Sequence, residues 1–292
     1  MNPTMAGLSA IAMWSLLALL TAATGDIPPL QLLAMTFFIG GAGGVASCRF
    51  RGIAMAGMRL PCKVWLMGIG GLFGYHFFYY TALRNAPVAE ASLIAYLWPM
   101  LIVLGSAILP GERLRWHHVA GTLTGFFGAA MLVWNAAAGA TSTGSLFGYA
   151  SALACAFIWA AYSIASRSHK QTPTHAVALY CLAVAALSLL AHVALEQTVW
   201  PQTPTQWLAV AALGCFPVGL AFYAWDHGVK HGNIQLLGAA AYFAPLLSTL
   251  ILVATGYAQA SPEIALACLL IVLGALLASG RVLGIFNKKA AP

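Results

Sequence analysis

Long apolar runs alternate with short polar connections along the whole chain. Runs of about 20 residues, the length a helix needs to cross a hydrocarbon core roughly 30 Å thick, recur near 5–24, 30–48, 62–82, 88–109, 116–134, 145–166, 174–195, 206–226, 234–255 and 263–283. A helix also satisfies its own backbone hydrogen bonds in lipid. The pattern therefore predicts an all-α membrane protein with ten transmembrane helices.

Composition excludes several classes of protein. The chain is 61% hydrophobic and 7% charged, whereas soluble domains carry about 25% charged residues. The connections are too short to form an extramembrane domain. The six cysteines show no C-x-x-C spacing, so neither a disulfide framework nor a zinc site is indicated. We expect no metal, no cofactor and no nucleic-acid partner.

The distribution of the basic residues predicts the orientation. If the N-terminus is cytoplasmic, twelve of the thirteen lysines and arginines fall in cytoplasmic loops or in the C-terminal tail, and only Arg84 falls on the other side. This asymmetry follows the positive-inside rule. Both termini are therefore predicted to be cytoplasmic, which explains the net charge of +7 without nucleic acid.

The two halves of the chain resemble each other. A shift of 146 residues aligns Tyr96 and Pro99 with Tyr242 and Pro245, and a shift of 145 aligns Trp14 with Trp159. Two five-helix units are predicted, residues 1–140 and 141–292. Because five is odd, the second unit enters the membrane from the opposite side, which gives the inverted repeats that many transporters use.

Motifs in the first half carry a family resemblance. Ala86-Pro87-Val88-Ala89-Glu90-Ala91-Ser92 leads into Tyr96-Leu97-Trp98-Pro99, and Pro110-Gly111-Glu112-Arg113 follows the fourth helix. With a Trp in the first helix of each half, these motifs resemble the drug/metabolite transporter superfamily of the EamA type. The second half departs from the pattern, since Gly256-Tyr257-Ala258-Gln259 stands where a second Gly-Glu pair would lie.

A further stretch, Gly74-Tyr75-His76-Phe77-Phe78-Tyr79-Tyr80, resembles the aromatic amino acid exporters of bacterial inner membranes. The resemblance implies export of aromatic and other neutral amino acids and related small metabolites, by alternating access through a central cavity. We expect a monomer in the lipid bilayer of the inner membrane. The substrate, the direction of transport and any coupling to a gradient stay open.

Aromatic residues near the middle of several helices are the predicted substrate-binding residues. Tyr75 and Tyr79 share one helix face, because residues four apart lie above each other. Ring faces and Tyr or Trp donors suit a zwitterion with an apolar side chain. The alternative is an interfacial belt of Trp and Tyr. The predicted set is Trp14, Tyr75, His76, Tyr79, Tyr96, Trp98, Trp159 and Tyr242.

Two prolines at repeat-related positions are predicted hinges. Pro99 and Pro245 each remove a backbone donor within an apolar run, which permits a kink. The alternative is that proline is simply frequent in membrane helices.

Charged residues are expected near the ends of the helices. We interpret Asp226, Lys230 and the neighbouring histidines as a solvated turn, with a cytoplasmic gate as the alternative. No carboxylate is expected deep in a span, although coupled antiporters usually carry one, so facilitated export is a serious option.

Other functions rank below amino acid export. An exporter of another metabolite or drug in the same superfamily is the first alternative. An intramembrane enzyme would need a catalytic pair such as Ser106 or Ser163 with His76 or His192, but no Gly-x-Ser-x-Gly context is present. We therefore expect no catalytic residues. An ion channel is disfavoured because no filter-like sequence or series of acidic pore residues is found.

Overall fold

The computed structural model describes residues 2–53, 55, 60–136, 145–256 and 261–278, and every regular element in these ranges is helical. The helices of the first half are α1 Pro3–Trp14, α2 Leu17–Ala23, α3 Pro29–Phe50, α4 Cys62–Asn85, α5 Val88–Ala95, α6 Trp98–Gly105, extended by a 3-10 turn at Ser106–Ile108, and α7 Trp116–Ala136. Those of the second half are α8 Leu146–Ser168, α9 Ala176–Leu195, α10 Pro204–Cys215, α11 Ala221–His231, α12 Ile234–Ala240, α13 Phe243–Ala254 and α14 Pro262–Ala278, with a π-helical segment at Phe216–Leu220 between α10 and α11.

Seven helical stretches in the described part of the chain are long and apolar enough to cross a membrane. They are Pro3–Ala23, Pro29–Phe50, Glu90–Ile108, Leu146–Ser168, Ala176–Leu195, Pro204–His231 and Ile234–Ile251. Helix α14 is apolar but shorter, and α4 and α7 supply two further helices of 24 and 21 residues. The apolar runs of the sequence thus all fall on helices, while the end of the last run lies outside the described residues.

One predicted boundary is wrong by more than a helical turn. The run predicted to end at 226 continues as helix to His231. The prediction ended the helix at its first charged residue, but Lys230 neutralises Asp226 one turn later, and Gly232 follows the end of the helix.

Packing joins the helices in pairs that cross the boundary between the two halves. Helix α3 packs on α9, α4 on α8, α1 on α11 and α7 on α14. Glycines allow the close approach: the place of a Cβ on Gly68 lies 2.6 Å from the ring of Tyr180, and one on Gly71 lies 2.5 Å from that of Tyr162. Small residues serve membrane helices in this way, because association there depends on close packing.

Four of the membrane-compatible stretches are interrupted, and proline explains three of the interruptions. A proline clashes with the carbonyl four residues before it. Pro99 thus accounts for the break between α5 and α6, and Pro245 for that between α12 and α13. Pro217 lies in the π-helical segment. Between α1 and α2, Ser15 Oγ instead donates to Ala12 O at 2.6 Å, a bond that bends helices.

Replacing Gly40 by Ala is expected to destabilise the protein by about 1–3 kcal/mol, the usual cost of overpacking. An added Cβ would lie 2.9 Å from Gly219 Cα and 3.2 Å from Gly214 O, which are backbone atoms that cannot rotate away. Gly43→Ala on the same helix meets nothing within 4 Å and is the control. Thermal unfolding in detergent measures both, and equal midpoints would contradict this packing.

Candidate functional site

Four tryptophans from four helices meet in the interior and form what we name the tryptophan cluster: Trp14 of α1, Trp98 of α6, Trp159 of α8 and Trp225 of α11. The ring centroid of Trp14 lies 6.3 Å from that of Trp98, 5.7 Å from that of Trp159 and 5.1 Å from that of Trp225. Trp98 and Trp225 meet edge to face at 5.8 Å. These separations are those of favourable aromatic pairs, so the cluster fixes the relative positions of its helices.

Helix α4 adds a row of polar aromatic side chains to one flank of the cluster. The Tyr75 ring lies 5.3 Å from that of Trp159 and stacks on Tyr79 at 5.9 Å, as expected for residues four apart. His76 lies 5.2 Å from Tyr75. All three side chains are only partly buried, so each keeps an accessible face.

Hydrogen bonds orient two of these side chains. His76 Nδ1 lies 2.7 Å from Leu72 O, and because a carbonyl only accepts, Nδ1 carries the proton of the neutral ring and Nε2 is the acceptor. The Tyr79 hydroxyl lies 3.4 Å from Ser92 Oγ, where α5 begins. The row thus presents one acceptor nitrogen and the tyrosine hydroxyls beside the indole rings.

Two of the four indole N–H groups in the cluster already donate hydrogen bonds to protein atoms. Trp14 Nε1 donates to Pro217 O at 3.0 Å, and Trp225 Nε1 donates to Ser163 Oγ at 3.1 Å. Ser163, one serine considered for a catalytic pair, therefore holds a tryptophan, and Ser106 Oγ donates to Val103 O at 2.7 Å. A ligand in the cluster would meet ring faces more than indole donors.

The structure brings six of the eight predicted residues into one connected set, but it places the other two differently. Tyr96 is partly buried at the break between α5 and α6. It is close enough to Tyr79 for the two side chains to interact electrostatically. Tyr242 is fully buried and packs elsewhere: its ring lies 6.2 Å from Phe126, against Gly125 of α7. Tyr96 and Tyr242 match in sequence, yet their rings occupy different surroundings.

Sequence reasoning missed three rings of this site. Trp225 is completely buried in the cluster, Phe222 lies 6.1 Å from both Trp14 and His76, and Phe37 stacks on Phe222 at 5.4 Å. The 146-residue shift already pairs His76 with Phe222 and Tyr79 with Trp225. That signal could have found two of the rings, whereas Phe37 aligns with Ala183 and has no such signal.

A sequence model of the EamA-like transporter family matches this chain twice, at residues 3–134 and 146–280. The chain belongs to the EamA-like transporter family. Its helices therefore form the membrane-spanning fold of a transporter, and the tryptophan cluster lies inside that fold.

Three similar proteins are exporters by name. The chain is 54% identical to the aromatic amino acid exporter YddG of Ancylobacter novellus, over 95% of this chain and 97% of the relative. It is 24% identical to the aromatic amino acid exporter YddG of Salmonella typhimurium, over 84% and 86%. The pseudopaline exporter CntI of Pseudomonas aeruginosa is 27% identical over 68% and 67%.

A solved structure confirms the fold. One crystal structure superposes on this EamA-like transporter with a TM-score of 0.90, at 53% identity, and covers 95% of this chain and 97% of the solved one.

Charged groups tie the helices of the transporter together at one end, which we name the Glu196 end. Glu196 follows α9, and its carboxylate accepts from the backbone N–H groups of Leu30 and Gln31 at 3.1 and 3.2 Å, from Arg84 at 2.8 Å and from His192 Nδ1 at 3.0 Å. It thus caps the start of α3, whose first N–H groups have no partner within the helix. His192, another residue considered for catalysis, is committed to this structural network.

The opposite end, which we name the Arg167 end, is held by an arginine. Arg167 at the end of α8 donates to Lys230 O at 2.9 Å and Gly232 O at 2.8 Å, and it pairs with Glu112. The carbonyls at a helix C-terminus attract cations, so Arg167 caps α11. Glu112 follows Gly111, whose φ of +83° suits glycine. The family motif therefore supplies a carboxylate that joins the first half to the second.

Acid is expected to weaken the Glu196 end. Burial raises the pKa of the Glu196 carboxyl, but hydrogen bonds from His192, from the Leu30 and Gln31 backbone and from Arg84 outweigh it and hold the pKa below its usual value. Such a group stabilises the fold fully above its unfolded pKa, about 4.3, and that stability is lost as the pH falls through the folded pKa.

Melting midpoints in detergent between about pH 7 and pH 3.5 measure this loss. Glu196→Gln should melt lower than the wild type at pH 7 and show a flatter acid dependence. Parallel curves for the two proteins would show that Glu196 contributes nothing to the acid sensitivity.

Proposed function

We propose that this protein exports aromatic and other neutral amino acids and related small metabolites across the bacterial inner membrane. The observation that carries the proposal is the convergence of four tryptophans and the partly accessible Tyr75, His76 and Tyr79 inside a transporter fold. The names of the relatives from Ancylobacter novellus and Salmonella typhimurium support the class of substrate.

The chemistry of the cluster suits a zwitterion that has an apolar side chain. Stacked and edge-on rings offer area to an aromatic or aliphatic group, and their faces attract an ammonium. The His76 Nε2 acceptor can take an ammonium hydrogen, and the Tyr75 and Tyr79 hydroxyls can donate to a carboxylate. We therefore assign substrate binding to Trp14, Tyr75, His76, Tyr79, Trp98 and Trp159, with Tyr96 and Tyr242 in supporting positions.

The fold that we propose has ten spanning helices in two inverted five-helix units, residues 1–140 and 141–292. The two matches of the family model support the two units. The helix pairs support the two-fold relation: exchange of the halves converts the pair α4 and α8 into the pair α11 and α1, and it maps α3–α9 and α7–α14 onto themselves. One chain forms the whole cluster, so we propose that a monomer suffices for transport.

Alternating access would use the helix breaks as hinges. Pro99 and Pro245 each follow a break, and the two breaks occupy matching places in the two units. Each half-helix beside a break can tilt with few hydrogen bonds lost, so the two prolines are the proposed hinges.

Export is tested with reconstituted vesicles loaded with unlabelled phenylalanine, into which labelled Phe, Trp, Thr or Met exchanges. Tyr79→Ala and Trp98→Ala are expected to slow exchange about tenfold, because each removes a contact worth about 1.4 kcal/mol. Trp200→Ala is the control, since Trp200 is exposed and stacks on Trp207 away from the cluster.

Two outcomes would count against this proposal. Wild-type vesicles that exchange none of the amino acids would refute amino acid export. A wider panel of substrates, including metabolites such as the one named for the CntI relative, would then be tested. Normal exchange by both Tyr79→Ala and Trp98→Ala would remove the tryptophan cluster as the substrate site.

The proposed orientation places both termini in the cytoplasm, as the basic residues indicate. Cys62 is exposed at the start of α4, on the cytoplasmic side in this orientation. A membrane-impermeant thiol reagent added to intact spheroplasts should leave Cys62 unlabelled but should label Thr205→Cys, which lies exposed at the start of α10. Labelling of Cys62 from outside would show that the orientation is the opposite of the one proposed.

A further inference from the structure

A buried ion pair lies directly beside the tryptophan cluster. Asp226 follows Trp225 on α11, and its Oδ2 accepts from Lys230 Nζ at 2.8 Å, with both side chains 1% exposed. Lys230 Nζ also donates to Thr172 O at 2.9 Å, in the connection between α8 and α9. The sequence interpretation of these residues as a solvated turn is therefore wrong, because neither side chain reaches solvent.

The surroundings of Asp226 are polar on one side and apolar on the other. Tyr162 of α8 and Tyr180 of α9 lie within electrostatic range, as do Lys230 and His231 on its own helix. Arg167 approaches through the carbonyl of Lys230. The other helices packed on α11, α1 and α12, contain no ionisable side chain.

Three buried polar atoms around the pair are left over. They are Asp226 Oδ1 and the hydroxyls of Tyr162 and Tyr180. None of the three has a partner in hydrogen-bond geometry within the described residues, although the Thr174 side chain is near the carboxylate. Burying charge in a membrane protein is costly, and such residues usually serve function. The ion pair engages only Oδ2, so Oδ1 is the carboxylate oxygen that can take a proton.

The pair is also specific to the second half. The 146-residue shift aligns Lys230 with Arg84 but Asp226 with Tyr80. Arg84 instead meets Glu196 from a different helix and is 51% exposed. The repeat therefore does not require a carboxylate at this position, because the matching residue of the first half is Tyr80. The carboxylate of Asp226 is a feature of the second half alone.

We propose that Asp226 is a proton-binding site that couples export to a proton gradient, which rests on the function proposed above. A proton that enters from outside the cell forms an O–H bond at Oδ1. The same proton leaves to the cytoplasm after the helices rearrange. No electrons move, and the only co-substrate is the proton. Export of one amino acid is then accompanied by entry of one proton.

Helix α11 connects the proton site to the substrate site. It carries Asp226 together with Trp225 and Phe222 of the aromatic site, and the π-helical segment before it is an irregular point of the kind often found at functional sites. Protonation removes the charge that holds Lys230 Nζ, whose other acceptor is Thr172 O. Helix α11 can then shift relative to the α8–α9 connection, and Trp225 and Phe222 move with it.

Vesicles test the coupling directly. Vesicles with an acidic lumen, one pH unit below the medium, should accumulate labelled phenylalanine several-fold above equilibrium, since one coupled proton permits about tenfold. Exchange at equal pH is measured in parallel. Asp226→Asn should keep exchange but accumulate no phenylalanine above equilibrium. Glu263→Gln, exposed in the first turn of α14, is the matched control and should accumulate like the wild type.

The outcomes separate this proposal from the one on which it rests. Wild-type exchange without gradient-driven accumulation, or accumulation by Asp226→Asn equal to that of the wild type, overturns the proton site alone. Absence of exchange in the wild type overturns export itself. If Asp226→Asn does not fold, the double variant Asp226→Asn/Lys230→Gln removes both charges. It should likewise keep exchange and accumulate no phenylalanine above equilibrium.

Discussion

The hydrogen bond from Trp14 Nε1 to Pro217 O joins the architecture of this transporter to its interior site. Backbone carbonyls at an irregular point of a helix inside a membrane are remote from water, so any partner from outside the helix must come from the protein. Here the partner is a side chain of the tryptophan cluster, donated from α1 to the π-helical segment that precedes α11. The irregular segment and the cluster are therefore linked. Moving Trp14 would break this hydrogen bond, and straightening the segment would remove an anchor of the Trp14 ring.

The same constraint shapes the other irregular points. At the break before α6 and the break before α13, proline takes away a donor, and short helices on either side close their own turns with bonds such as Tyr96 N to Ser92 O at 2.8 Å. The breaks fall where helices from both halves meet, which is where a change of tilt reaches the interior. The charged networks, in contrast, lie near the two ends: Glu196 holds α3, α4 and α9, and Arg167 holds α8, α11 and the turn with Glu112.

Much of the fold could be predicted because the bilayer imposes it. A helix that crosses hydrocarbon needs a long apolar run, so the runs and the helices coincide. Trp14 and Trp159 could be selected as matching positions of the repeat, and Trp98 from its place in a repeat-related helix. Tyr75, His76 and Tyr79 could be selected from their positions along one helix. The positions of Tyr242 and Phe37 could not, because the helix against which a ring packs depends on tertiary packing. Asp226 was misjudged for a related reason: a hydropathy pattern records a charge but not the Lys230 that neutralises it.

The tryptophan cluster contains no charged side chain, and the nearby ion pair is neutral as a whole. These two properties limit the net charge of a ligand that can bind in the interior. A ligand with net charge would lose its hydration on entering the tryptophan cluster, at a cost of several kcal/mol, and the ring faces and hydroxyls there would compensate only part of it. A zwitterion brings its own counter-charge and needs only area and a few hydrogen bonds. While Asp226 is ionised it does not alter this selection, because Lys230 cancels its charge at 2.8 Å. If the tryptophan cluster binds the substrate as proposed, we expect it to select for net neutrality first and for side-chain shape second.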